Sequence, residues 1–395
     1  MRQFTSRRRA RALACAAATA TVALAAVGCG SSSDSDSSSA STPAATQGSA
    51  APAASTATRP EQIGRGMRIG FVSITNCANP LICAVGRAFA AEARALGAQA
   101  TVLQAGASAN VVDANISNMD QLTSQKVDAI AVWPADEGAI KSPTQRAAQA
   151  RIPVFGYDLY QPFDRSIVMT VNQGRALQAK QSAELLCRER PDGGPVLFGN
   201  YALPLPSITY LRDRFEQYLK QCSGGRLDVA AEFANRTDDV SGARTAAEPA
   251  IQANPDVVGI ASYNDATAIG ASQAAQSLGK REQAWISGYN LAPDGVDALK
   301  EGRIDVSWDY QPAVAGQVLA RAMIEYLAGK QRSPPSVVMV WPKCYTTKTI
   351  DEMVPQQEQV DAIAAGVDVA ARAGPLVQSG DAIPAPGDDL PGCDG

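Results

Sequence analysis

Histidine is absent from all 395 residues. That one absence removes Ser-His-Asp and Cys-His nucleophile systems, His-ligated zinc and imidazole acid–base work. No GxxxxGK followed by Ser or Thr occurs, so any nucleotide hydrolysis belongs to another chain. No Cys-x-x-Cys pair, spaced carboxylate pair or Ser-Lys motif stands out. The expectation is a chain that is not an enzyme, with no cofactor and no metal. Beyond the first 30 residues, no apolar run approaches the roughly 20 residues that cross a bilayer. Positive charge is not in excess either, with 35 Lys and Arg against 39 Asp and Glu.

The N-terminus is the most specific feature present. Arg7, Arg8, Arg9 and Arg11 precede an Ala-rich apolar run over residues 14–27, which ends Ala26-Val27-Gly28-Cys29. Basic head, short apolar stretch and small residues at a cleavage point make a secretory signal over residues 1–28. A Cys after a small residue at that point resembles a bacterial lipobox, with Ala26 where Leu is usual. Cys29 is then the lipidated first residue of the mature chain. An ordinary signal peptide cleaved near Cys29 is the alternative. Residues 31–58 are almost all Ser, Ala, Thr, Pro, Gly and Asp, with no large apolar side chain to offset chain entropy. Residues 29–62 thus read as a flexible leash reaching on the order of 30 Å. The expected location is the outer face of the cytoplasmic membrane.

The signal holds five of the 35 basic residues (Arg2, Arg7, Arg8, Arg9, Arg11) and no acid, so its removal leaves a net charge near −9. That disfavours nucleic acid and anionic lipid surfaces as partners. Six Cys remain in the body: Cys77, Cys83, Cys187, Cys222, Cys344 and Cys393. An even count in an exported chain reads as three disulfides, and proximity favours 77–83, 187–222 and 344–393 among 15 pairings. A metal site is the rival, and it fails on spacing and on compartment.

From Met67 onward short β-type apolar runs alternate with helical stretches. The runs cover 69–74, 100–103, 129–133, 153–157, 167–171, 195–198, 229–233, 257–261, 285–289 and 304–308. Between two of them, Val112, Ile116, Met119 and Leu122 recur on one helix face. Gly97, Gly279, Gly302 and Gly329 sit where helix C-caps want a left-handed residue. The pattern predicts an α/β chain with two layers of parallel strands, hence two Rossmann-like lobes.

Ligands of open parallel sheets sit beyond the C-terminal strand ends. Of 4 Trp and 10 Tyr, Trp133, Tyr157, Tyr160, Tyr263, Tyr289, Trp308 and Tyr310 all fall there, interleaved with Asn and Asp. Aromatic faces alternating with polar groups suit a small-molecule cleft; core packing is the alternative for each ring taken alone.

These stations, in this order, resemble the periplasmic sugar-binding proteins of the ribose/galactose type, the solute receptors of ABC importers. The resemblance spans residues 67–350. Its marks are Asn79-Pro80, Ile152-Pro153-Val154 before Tyr157-Asp158, Pro255-Asp256-Val257 before Asn264-Asp265, and Gly288-Tyr289-Asn290 before Pro293-Asp294-Gly295. It implies two lobes joined by three crossovers, near 171–172, 310–311 and 340–343. The N-lobe is then 67–171 plus 311–339, the C-lobe 172–310 plus 340–350, and 351–395 a C-terminal extension. That extension is expected to hold one helical stretch, 356–373, and to pack back through Cys393.

The resemblance also implies site residues. Asn79, Asp158 and Asn264 would hydrogen-bond the ligand, and Tyr289 would stack on it. Asn290 stands where an acid is usual, Leu159 for an Arg, Trp133 for an Asn and Tyr310 for a Gln. Arg212 is the candidate for a C-lobe Arg, and Tyr160 adds a ring. Charged groups making paired bonds to hydroxyls are the stronger kind. Their replacement predicts a less hydroxylated or apolar-faced ligand (a deoxy sugar, glycoside, nucleoside-like or aromatic solute) rather than plain ribose. The alternative is that other side chains restore the polar contacts for an ordinary sugar. The implied partners are the solute and a membrane permease with a separate ATPase, the chain itself a monomer. Ligand presentation to a membrane receptor kinase is the second reading. Use as a DNA-binding repressor is excluded by the export signal, the charge and the lack of a helix-turn-helix.

Overall fold

The computed structural model describes residues 61–74, 77, 80–105, 110–160, 166–203, 205–380 and 393. The signal segment, Cys29, the leash to residue 60, and Asn79 lie outside them.

The chain begins with β1 (Arg68–Ser73), α1 (Pro80–Ala95), β2 (Gln99–Gln104), α2 (Val111–Ser124), β3 (Ala129–Val132), α3 (Lys141–Gln149), β4 (Val154–Tyr157) and β5 (Ile167–Gln173). Next come α4 (Arg175–Glu189), β6 (Gly194–Tyr201), α5 (Pro206–Ser223), β7 (Leu227–Asn235), α6 (Val240–Ala253), β8 (Gly259–Ser262), α7 (Asp265–Ser277), β9 (Trp285–Ser287), α8 (Pro293–Lys300) and β10 (Val306–Asp309). It ends with α9 (Pro312–Leu327), β11 (Val337–Val340), β12 (Lys343–Thr346), α10 (Gln356–Ala364), α11 (Val369–Ala373) and β13 (Val377–Ser379).

Two sheets result. The first has seven strands in the order β13-β11-β5-β4-β3-β1-β2, the second six in the order β12-β10-β9-β8-β6-β7. Only β13 and β12, each at an edge, run antiparallel to their neighbours. The central strands β3, β4, β8 and β10 are buried along their whole length. Such strands are apolar throughout because helices cover both faces of a parallel sheet. Gly97, Gly279, Gly302 and Gly329 all take positive φ, between 68° and 85°, as helix C-caps do.

The backbone passes between the sheets after β5, after β10, after β11 and again after β12, when β13 returns to the first sheet. The first and third passages touch. The Gly174 N–H donates to the Val340 carbonyl at 3.0 Å, and a Cβ on Gly174 would lie 2.3 Å from Trp341 Cε3. At the second, Gln311 is left-handed with φ 58°. Its N–H and its amide bond the two oxygens of Asp309, at 2.9 and 2.8 Å.

The three disulfides are Cys77–Cys83, Cys187–Cys222 and Cys344–Cys393, the pairing that proximity predicts. The end of the chain departs from expectation. Residues 356–373 are two helices, because Gly366 takes φ 86° and stops α10, while the Asp368 carboxylate caps α11 by accepting from the Ala371 N–H. β13 joins the first sheet beside β11, and α10 packs on α1. Arg321 of α9 binds Glu92 of α1 at 2.8 Å and also pairs with Asp368, so one guanidinium stitches three helices. The predicted face of α2 is rotated. Asn115, Met119 and Leu122 are buried, while Val112 and Ile116 are only half-buried. The polar Asn115 belongs inside because its amide bridges two strand ends, donating to Ser73 and accepting from the Ala135 N–H at 2.8 Å.

Helices α1 and α9 meet at Gly316, where a Cβ would stand 2.3 Å from the Val85 carbonyl oxygen. Backbone cannot rotate aside as a side chain can. Gly316→Ala is therefore expected to destabilise the fold by about 1–3 kcal/mol. Gly86→Ala, whose nearest neighbour is a Val102 methyl at 3.1 Å, should cost less. Chemical denaturation of the two variants tests the ordering.

Candidate functional site

Parallel strands bring all their C-terminal ends to one edge of each sheet, and the chain's passages between the lobes lie at those edges. Here β4 ends in Tyr157 and Asp158, and Asp158 turns left-handed with φ 56°. Asp tolerates that region better than most residues. The turn is fixed by the Asp158 N–H donating to Val171 at 2.9 Å. Asn172 then clamps the next residue, accepting from the Leu159 N–H at 3.1 Å and donating to its carbonyl. Gly156 leaves room for the Leu159 side chain, whose Cδ1 would be 2.1 Å from a Cβ there. Leu159 thus points into the apolar layer with Val72, Ile130 and Val154.

Around Asp158 the rings assemble. Trp133 meets Tyr157 edge to face at 4.7 Å. Tyr160 donates its hydroxyl to the Gln173 carbonyl and lies 5.0 Å from Tyr210 of α5, so a first-lobe ring touches the second lobe. Tyr289 is fully buried and stacks on Tyr310 at 5.9 Å. Its hydroxyl donates to Gln173 Oε1 at 3.3 Å.

Arg175, the first residue of α4, completes the cluster. A cation there opposes the helix dipole, and Arg175 is only 7% exposed. Its guanidinium lies over the Tyr289 ring, 5.0 Å from the centroid, and 3.7 Å from Asp158 Oδ2. Neither Asp158 oxygen forms a well-shaped hydrogen bond, and Arg175 Nε and Nη1 form none. Burial pushes the Asp158 carboxyl up, and Arg175 pulls it back.

Other predicted residues lie elsewhere. Asn264 caps α7, accepting from the Thr267 N–H at 2.9 Å and donating to Asp238 at 2.8 Å. Both ends of its amide are thereby engaged inside the protein. Tyr263 donates to the same Asp238 and packs on Tyr201. Arg212 joins a partly exposed ion-pair group with Glu216, Glu232 and Asp213. Asn290 takes φ 110°, with its N–H on the Trp308 carbonyl. Trp308 is core, its indole N–H donating to Gln181. The structure thus gathers Trp133, Asp158, Tyr160, Tyr289 and Tyr310, and adds Arg175, Gln173 and Tyr210, which sequence reasoning missed. The available signal for Arg175 was a cation opening a helix.

Two carboxyls beside the passages are structural. Asp265 accepts from Ser307 at 2.5 Å and from the Ala292 N–H. Asp309 accepts from Gln311 and, at 2.7 Å, from the Gln356 amide. Burial pushes each up to about 7.

The chain belongs to the periplasmic binding protein domain family, which matches residues 69–331. It is 25% identical over 231 residues to the ribose import binding protein of Salmonella typhimurium, covering 58% of this chain and 75% of that one. The ribose import binding protein of Bacillus subtilis is 23% identical over 260 residues, covering 66% and 82%. Among solved structures, the Caulobacter myo-inositol binding protein superposes with a TM-score of 0.65 at 19% identity, covering 75% of this chain and 99% of that one. A periplasmic solute binding protein from Actinobacillus succinogenes, with bound D-allose, gives 0.65 at 19% identity over 73% and 100%. The fold is that of these two-lobed binding proteins, and the relatives are binding proteins rather than enzymes. Among the described residues no helix is long and apolar enough to cross a membrane.

A buried carboxyl with a raised folded-state pKa keeps a proton that the unfolded chain releases. The stability each contributes is fully present below about 4 and is lost as pH rises through about 7. Thermal unfolding should therefore occur at higher temperature at pH 5.5 than at pH 8. Asp309→Asn, neutral throughout, should roughly halve that dependence, with Asp265 supplying the rest. A melting-temperature series against pH for both proteins checks it.

Proposed function

We propose that the chain is an extracytoplasmic solute-binding protein of an ABC importer. It is tethered through Cys29 and captures a carbohydrate or related small molecule between its lobes. The observation that carries this reading is the meeting of Asp158 and Tyr160 from one lobe with Arg175, Tyr210 and Tyr289 from the other, beside the passages that join them. A ligand that adds contacts to both sides favours the arrangement in which the lobes meet, and its differential affinity sets how far the equilibrium moves. Engaged lobes then present one composite surface to a permease, whose ATPase is a separate chain. The names of the relatives support the solute class, and the signal and leash support the location.

The leashless protein should be stabilised by its ligand by about 2.7 kcal/mol at 100 times Kd. A thermal-shift screen of pentoses, hexoses, cyclitols and nucleosides followed by calorimetry reads this directly. No saturable binding to any of them would overturn the reading. Cys29→Ser in the full chain should abolish lipid labelling and release the protein from membranes; retained labelling would refute the tether.

A further inference from the structure

Resting on the solute-capture reading, we infer that Arg175 is the specificity-determining cation of the cleft. Paired with Asp158, it selects a neutral, vicinally hydroxylated solute over anionic and cationic ones. The position after Asp158, where the resemblance places an Arg, is Leu159, and that side chain is turned into the apolar layer of the first lobe. The charge comes instead from the other lobe, across the first passage.

The geometry gives the chemistry. Ser207, Tyr160 and the Gln173 backbone face the Asp158 carboxyl, yet neither of its oxygens has a well-shaped hydrogen bond, and Arg175 offers Nε and Nη1 as donors without partners. The two groups stand 3.7 Å apart, with side chains 1% and 9% exposed. Leaving such donors and acceptors unbonded away from water is unfavourable. A hydroxyl meets both needs, because its hydrogen donates to the carboxylate while its oxygen accepts from the guanidinium. Two adjacent hydroxyls fill both oxygens and both N–H groups.

Charge decides against the alternatives. A carboxylated solute would gain Arg175 but bring its charge against Asp158; an aminated one would gain Asp158 and meet Arg175. The pair is balanced, so a neutral solute alone leaves no net charge buried. Tyr289 serves Arg175 as a platform: the guanidinium lies on its ring, and the Tyr289 hydroxyl is held by Gln173. The departures at Leu159 and Asn290 therefore do not imply a poorly hydroxylated ligand.

Calorimetry of the leashless protein against neutral pentoses, hexoses and inositol, with the matching uronates and amino sugars, tests the charge rule. At least one neutral polyol should bind on the order of 100-fold more tightly than its charged counterparts. Preference for a uronate or an amino sugar overturns the inference. For the preferred neutral solute, Arg175→Met should weaken binding on the order of 100-fold, with two charge-assisted bonds lost. Arg175→Lys, which keeps the charge and loses the planar fork, should weaken it about tenfold. Should the buried Asp158 left alone unfold Arg175→Met, the Arg175→Met/Asp158→Asn double variant removes both charges and should fold yet bind no better. Wild-type affinity in a folded Arg175→Met or double variant overturns the assignment and leaves the solute-capture reading standing. No saturable binding by the wild type to any carbohydrate overturns both.

Discussion

The arrangement on which the rest of this molecule depends is the set of ties at the chain's passages from one sheet to the other. A pair of lobes joined once could take many relative orientations. Here Gly174 sits so close to Trp341 and Pro342 that no side chain fits between, and its N–H is bonded to Val340 on the neighbouring passage. At the second passage, the left-handed Gln311 wraps back on Asp309 with two bonds. These short-range ties fix the backbone at those passages. Arg175 directly follows Gly174 at the first of them, and Asp158 and the Tyr289 ring stand against its guanidinium.

The strand and helix alternation was readable because its physical cause is local. Buried parallel strands must be apolar along their length, and helix ends must turn left-handed where Gly97, Gly279, Gly302 and Gly329 stand. The disulfides followed from proximity for the same reason. The α2 face was misjudged because periodicity weighs only apolarity. Asn115 is buried for its two hydrogen bonds to strand ends, and those partners are 42 and 20 residues away in sequence. The break between α10 and α11 is written in Gly366 and Asp368, which apolar periodicity over 356–373 does not weigh.

The cluster of rings was partly legible. The family resemblance pointed to Asp158. Position at a strand end singled out Tyr160, Tyr289 and Tyr310, because topology alone brings those ends together. It could not separate rings that face the neighbouring lobe from Trp308, which packs inward on α4. Nor could it tell that the Asn264 amide is spent at both ends, although Asn followed by Asp265 and Thr267 at a helix start has the form of an N-cap. Arg175 was passed over because an Arg at a helix start reads as solvent-facing. Its burial depends on Tyr289 and Asp158, residues 114 and 17 positions away, and no local pattern encodes that.

The last segment of the chain binds the same edge from outside. Gln356, on a helix packed against the first lobe, donates to Asp309 on a strand of the second, and β13 extends the first sheet beside the strand that leads into the third passage. Cys393 is joined to Cys344 on β12, an edge strand of the second sheet. Burial holds Asp309 near neutrality, so the carboxyl at this junction accepts three hydrogen bonds in a setting that disfavours its charge. Amide donors, two of them from glutamine side chains, suit that position: they satisfy the oxygens without placing a cation in the interior. Glu92 takes both kinds of donor, the Arg321 guanidinium and the Gln317 amide. The two arrangements, amide donors on Asp309 and a guanidinium beside Asp158, leave the Asp309 oxygens bonded and those of Asp158 without well-shaped hydrogen bonds.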